Sequence, residues 1–293
     1  MLGSFVVLYL FLGGCGAGVL LTATAWSLLF HCTRTRTRQQ TCAFAMLLGR
    51  LYATGFVLLV VAALCLLLDL GRPQRFLLLF LRPTPSLLSV GSFLLLAALL
   101  TAGLLTALRF VGTMRSAGWV RRALEVVCSL LAVGLMVYTG LYMAWMEAVP
   151  LWNNAALPLL LALSSASSGV AVVLLAVPFA RDNYLLGGWT GALHRLHRVL
   201  LILECATLAA FLGLALSDPF ARPSLLTLLS PDAEGLWFAV GFGGFGIVAP
   251  LGAEVARGLL GRDSPLLVAE VLCVAGGLIL RFCLVLAGSH WLG

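Results

Sequence analysis

Eight runs of about 20 or more mostly apolar residues leave this protein one class of fold. Each is long enough to cross a ~30 Å hydrocarbon core. Inside lipid, a backbone must satisfy its own hydrogen bonds, so spans built of such runs are helices. The runs cover residues 5–31, 44–69, 86–111, 122–147, 155–180, 194–217, 235–260 and 265–290. The loops between them are too short to hold a separate soluble domain. With 62% hydrophobic and 10% charged residues among 293, and a mean hydropathy of +1.10, the composition excludes an ordinary soluble protein. The expectation is an all-α, polytopic protein of the cell membrane.

The first run contains "YLFLGGCGAG", Tyr9 to Gly18. No Lys or Arg precedes Arg34, and the apolar run is too long for a cleaved signal peptide with a lipid-attachment cysteine. Its glycines miss the G-x-G-x-x-G spacing of a dinucleotide turn. What remains is a membrane helix with a small-residue face, which lets a neighbouring helix come close.

All 18 basic residues are arginine. Twelve fall in or beside the loops after the first, third, fifth and seventh runs, and four (Arg72, Arg75, Arg82 and Arg222) lie on the other side. The positive-inside rule therefore predicts both termini outside the cytoplasm. The net charge of +7 reflects this asymmetry and not a nucleic-acid surface. The eight cysteines show no C-x-x-C or metal-ligand spacing, so no metal is expected.

A shift of about 150 residues brings the halves into weak register. "GGCGAGV" (13–19) falls on "SSASSGV" (164–170), and "DLGRP" (69–73) falls on "DPFARP" (218–223). The expected architecture is two four-helix bundles, residues 1–150 and 151–293, repeated in parallel.

Charged residues inside a span cost ~2.5–3.5 kcal/mol on insertion scales, so each needs a reason. Glu204, Glu254, Glu270 and Arg281 are such residues. His194, His197, Leu201 and Glu204 share one helical face, and so do Glu270 and Arg281. Two readings stand: ion pairs that hold helices in register, or a polar track carrying protons inward through His197, Glu204, Glu254, Glu270 and Arg281. On the other half of the membrane, "YTGLYMAW" sets Tyr138, Tyr142 and Trp145 on one face. Interface anchoring suits Trp145 and Trp152. Tyr138 lies deeper, where its hydroxyl needs a partner. The loop "DLGRPQRFLLLFLRP" holds Asp69 with Arg72, Arg75 and Arg82, against the charge rule. Arg72 either bridges Asp69 or contacts an acidic partner or a ligand headgroup.

Taken in order, "YLFLGGCGAG", "LDLGRPQRF", "SLLSVGSF", "YTGLYMAW", "PLWNNAALPLLLALSSASSG" and "RFCLVLAG" resemble the NrfD/PsrC family along essentially the whole sequence. That family comprises membrane anchor subunits of polysulfide reductase and related molybdopterin oxidoreductases. The resemblance implies a haem-free subunit that exchanges electrons between the quinone pool, menaquinone or menaquinol, and an extracytoplasmic 4Fe-4S ferredoxin-type subunit. That subunit in turn feeds a molybdopterin catalytic subunit. It further implies a quinone site near the outer face, with Tyr138, Asp69 and Arg72 at matching motif positions. Tyr142 and Tyr9 lie close by in the same motifs. Where relatives present His or Asn in the outer part of the first helix, this sequence has Ser4 and Tyr9.

Two rival readings belong to other classes. Internal repeats, midplane charges and glycine-rich helices also suit a secondary transporter. A purely structural anchor needs no quinone at all. A haem is not expected, because His31, His194, His197 and His290 all lie near helix ends.

Overall fold

The computed structural model describes residues 4–32, 37–69, 87–110, 118–146, 148–180, 183–230, 233–260 and 267–289. No strand occurs among the described residues, and eight helices are long and apolar enough to cross a membrane. In order along the sequence these are α1 (Ser4–Cys32), α2 (Arg38–Asp69), α3 (Leu87–Phe110), α4 (Gly118–Ala144), α5 (Leu157–Ala176) and α6 (Gly187–Ser217). A short α7 (Arg222–Leu228) follows. The seventh span is then built from α8 (Ala233–Leu236), a π-helical stretch (Trp237–Val248) and α9 (Ala249–Leu260), and α10 (Leu267–Ser289) is the eighth.

Several helices start earlier than their apolar runs. The second begins at Arg38, not near residue 44. Thr37 and Gln40 form a reciprocal cap there: Gln40 N–H donates to Thr37 Oγ1 (3.2 Å), and Thr37 N–H donates to Gln40 Oε1 (3.0 Å). Such polar first turns are invisible to a hydropathy reading. The helical ladder continues past the apolar core because its bonds do not depend on lipid.

Contacts between neighbouring helices form two rings. In the first, α1 packs on α2, α2 on α3, α3 on α4 and α4 on α1. In the second, α5 packs on α6 and α10, α10 on the π-helical stretch, and α9 on α6. The rings meet where α5 lies against α1 and α4. Accordingly α1 is the most buried of the eight spans and α5 the next.

The glycines of the first helix explain that central position. A methyl group at Gly16 would press on Leu58 and Leu59 of α2. One at Gly18 would run into the backbone of Ser165 and Gly169, and one at Gly169 into the backbone of Gly18. Gly18 and Gly169 are the two positions equated by the repeat register. A second backbone approach joins Gly246 of the π-helical stretch to Gly276 of α10.

Eight crossings bring Ser4 and Ser289 to one face of the protein, the terminal face, together with Asp69 and Ala144. The opposite one is the far face. On the terminal side, Trp152 corrects its expected role as an interface anchor. It is 1% exposed, its indole N–H donates to the Leu284 carbonyl (2.8 Å), and Gly288 leaves room for its ring. Trp145 is exposed. Nearby, Asn154 Nδ2 donates to the Phe211 carbonyl (3.0 Å), so this loop ties α5 to α6 and α10.

Candidate functional site

Four of the five residues expected at a terminal-face site are described, and they converge. Tyr9 lies five residues from the start of α1 and Tyr138 six from the end of α4, each ~7–9 Å below its helix end. The rings of Tyr138 and Tyr142 are 6.0 Å apart. Tyr9 is within electrostatic reach of both, and Tyr142 of Asp69, the last residue of α2. Tyr9 and Tyr138 are 6% and 7% exposed, and neither phenol makes a hydrogen bond among the described residues. Gly91 makes room for the second of them, since a methyl group there would overlap the Tyr138 ring and hydroxyl. The fifth residue, Arg72, lies outside the described residues with Arg75 and Arg82.

A second constellation fills the inside of the α5–α10 ring. It starts near the far face, where His194 Nδ1 lies 2.5 Å from Glu254 Oε1 and 4.0 Å from Glu270 Oε1. His197 Nδ1 lies 3.7 Å from Glu254 Oε1 and 3.2 Å from Glu270 Oε2. The other ring nitrogen of His197 is 3.5 Å from Cys273 Sγ. Deeper, Ser167 donates to Glu204 Oε2 (2.7 Å), with Ser164 beside the same carboxylate.

Arg281 closes this series at about mid-depth. It is 1% exposed and donates to the Gly277 carbonyl (2.6 Å), Ser165 Oγ (2.6 Å), Ser164 Oγ (3.4 Å) and the Leu161 carbonyl (3.4 Å). Its guanidinium also sits 5.6 Å from the Phe11 ring centroid. Gly14 of α1 provides the space, for a side chain there would strike Ser165 and Arg281. From Glu270 to Arg281 the helix rises ~16 Å, about half the hydrocarbon thickness.

A profile of the family described as polysulphide reductase, NrfD matches residues 1–293. The chain belongs to the NrfD family. Among its relatives is Protein NrfD of Escherichia coli (strain K12), 32% identical over 174 residues, which are 58% of this sequence and 54% of that protein. The C chain of the polysulfide reductase of Wolinella succinogenes is 28% identical over 175 residues, 59% of this sequence and 55% of that one. The protein spans about half the length of the curated relatives it matches. Family membership and eight spans together make it a multi-pass membrane protein of the cell membrane.

This NrfD-family protein also holds a buried cluster that sequence reasoning missed. Glu125 of α4 is 1% exposed. Its Oε1 accepts from Ser27 Oγ of α1 (2.9 Å), Tyr52 OH of α2 (3.1 Å) and Arg109 Nη2 of α3 (3.4 Å). All four helices of the first ring meet on one carboxylate. The signal is an acidic residue inside an apolar run, but Glu125 stands only three residues into the expected span and reads as a helix end. The grouping of His194, Glu254 and Glu270 is likewise invisible as a cluster, because its members come from three helices.

Proposed function

We propose that this protein is the quinone-handling membrane subunit of a molybdopterin oxidoreductase, exchanging electrons with an iron–sulfur subunit docked on its terminal face. The observation that carries this reading is the convergence of Tyr9, Tyr138, Tyr142 and Asp69 below that face. Family membership supports it, as does the name of one relative, which belongs to a polysulfide reductase. The arginine distribution supports an extracytoplasmic terminal face.

The residues suit a quinone headgroup on their own chemistry. Among the described residues two phenols lack protein partners, at a level where a flat, apolar ring would reach them from the lipid. When bound, a quinol supplies two electrons and two protons on oxidation. Tyr138 would donate a hydrogen bond to one headgroup oxygen, and Tyr9 offers a second donor from α1. Asp69 is exposed, so its carboxylate would take up a released proton and pass it to water at the face. Arg72, three residues beyond Asp69 in the same motif, is assigned to the same headgroup or to the docked partner. We assign proton movement from the far face to the series His197, Glu254, Glu270, Glu204 and Arg281. The domain division follows the repeat, at about residue 150.

The test is Tyr138→Phe, which keeps the ring and removes the hydroxyl. A lost hydrogen bond costs ~0.5–1.5 kcal/mol, more where its partner is left buried. Quinol-dependent reduction of the partner should fall several-fold, while an artificial donor feeding the partner directly stays effective. Unchanged quinol kinetics would place the site elsewhere.

A further inference from the structure

We propose that His194, Glu254 and Glu270, with His197 against both carboxylates, form a binding site for one divalent transition-metal ion, zinc being the best chemical match, at the far-face mouth of the second ring. This goes beyond the quinone reading and runs against the metal-free protein expected from cysteine spacing.

Geometry is the first ground. Zinc takes nitrogen and oxygen ligands at ~2.0–2.2 Å in a tetrahedron, which sets the ligand atoms ~3.4 Å apart. From His194 Nδ1 the distances to Glu254 Oε1 (2.5 Å) and Glu270 Oε1 (4.0 Å) lie on either side of that edge. One ligand atom each from His194, Glu254 and Glu270 lies within 4.8 Å of the others. His194 and His197 stand three apart on α6, the spacing that aims two side chains from one helix into a bundle interior.

Unmet bonding capacity is the second ground, and it is independent of the first. Both carboxylate oxygens of Glu270, Oε2 of Glu254 and Nδ1 of His197, in residues 2%, 1% and 0% exposed, are buried without an aligned hydrogen bond among the described residues. Glu270 Oε2 and His197 Nδ1 face each other as an ion pair (3.2 Å), and Glu270 Oε1 and Glu254 Oε2 are left unmatched. Buried polar atoms rarely go unmatched unless something else satisfies them. The other ring offers the contrast. There Oε1 of the Glu125 carboxylate receives three donors. In the second ring the described residues supply acceptors in excess of the donors that meet them.

Charge and outer contacts agree. Two carboxylates balance a divalent cation, so the filled site carries no net charge into a low-dielectric interior. Cys273 lies at Nε2 of His197 (3.5 Å), which leaves Nδ1 facing the cluster, and Arg198 Nη2 holds the Glu254 backbone carbonyl (3.1 Å). Arg198 is the nearby charge that opposes a cation, and the carboxylate pair outweighs it. His194, with 11% of its side chain exposed, is the point of entry. A cation there would close the proton route assigned to these residues, so zinc would act as a brake on it.

The full-length protein, purified in detergent without metal-affinity chromatography, would be equilibrated with zinc, desalted and assayed by mass spectrometry for metal content. One zinc per molecule is expected in the wild type. Glu270→Gln and His194→Gln should each bind at least about tenfold more weakly, while Glu125→Gln in the other ring retains the ion. Cobalt(II) gives a readout that needs no variant: wild type should show the intense visible bands of a tetrahedral ion, discharged by zinc. Absence of stoichiometric zinc, retention of it by both variants, or only the pale spectrum of six-coordinate cobalt would overturn the site. None of these readouts involves quinol, so a failed quinone site and a failed metal site give different results.

Discussion

Gly18 of α1 and Gly169 of α5 meet backbone to backbone, and neither leaves room for a single methyl group on the other. In lipid, where apolar surface gains little by being hidden from hydrocarbon, such close approach supplies much of the attraction between helices. Substituting Gly169→Ala or Gly18→Ala should therefore push the rings apart. Overpacking of this kind costs ~1–3 kcal/mol, read as a lower midpoint of thermal unfolding in detergent. Gly213→Ala, on a part of α6 with nothing within reach, is the control and should leave the midpoint unchanged or slightly raised.

Gly91 is tied to Tyr138 in the same steric way, with a functional readout. Gly91→Ala would displace the Tyr138 ring without removing its hydroxyl. Quinol-dependent turnover should fall as it does in Tyr138→Phe, with direct donation to the partner intact. Normal quinol kinetics in Gly91→Ala would separate Tyr138 from the quinone.

The Glu125 cluster is expected to support the fold and not the chemistry. Tyr52→Phe removes one hydrogen bond to a charged acceptor, worth ~1.5–3 kcal/mol. The thermal midpoint should drop, and quinol turnover of the protein that remains folded should not. A selective loss of turnover would give this cluster a functional role.

Arg281 and Glu204 share Ser164, so their substitutions should not add. Arg281→Met alone removes the positive charge that acts on the buried Glu204 carboxylate and frees Ser164, so the thermal midpoint should fall. Yield and thermal midpoint should recover in part in Arg281→Met with Glu204→Gln. Strict additivity across the cycle would mean that the two charges are independent.

Orientation has its own measurement. A reporter active only in the cytoplasm, fused after Gly293, should be silent. Activity would turn the terminal face inward and move the proposed quinone site to the cytoplasmic side.

Apolar length is enough to read eight spans, because crossing lipid is a one-dimensional requirement on hydropathy and length. Helical period likewise places His194, His197 and Glu204 on one face from the sequence alone. Arginine placement carries an expectation of sidedness for the same reason, since it is a property of loops counted along the sequence. What linear order does not contain is which faces meet. Gly14 in the first span makes room for Arg281 in the last, Trp152 is a buried plug donating to Leu284, and Glu125 collects donors from three other helices. Such partners are chosen by packing between helices, where close contact and the cost of an unpaired polar atom decide the outcome. Both are properties of distances in space and leave no period along the sequence.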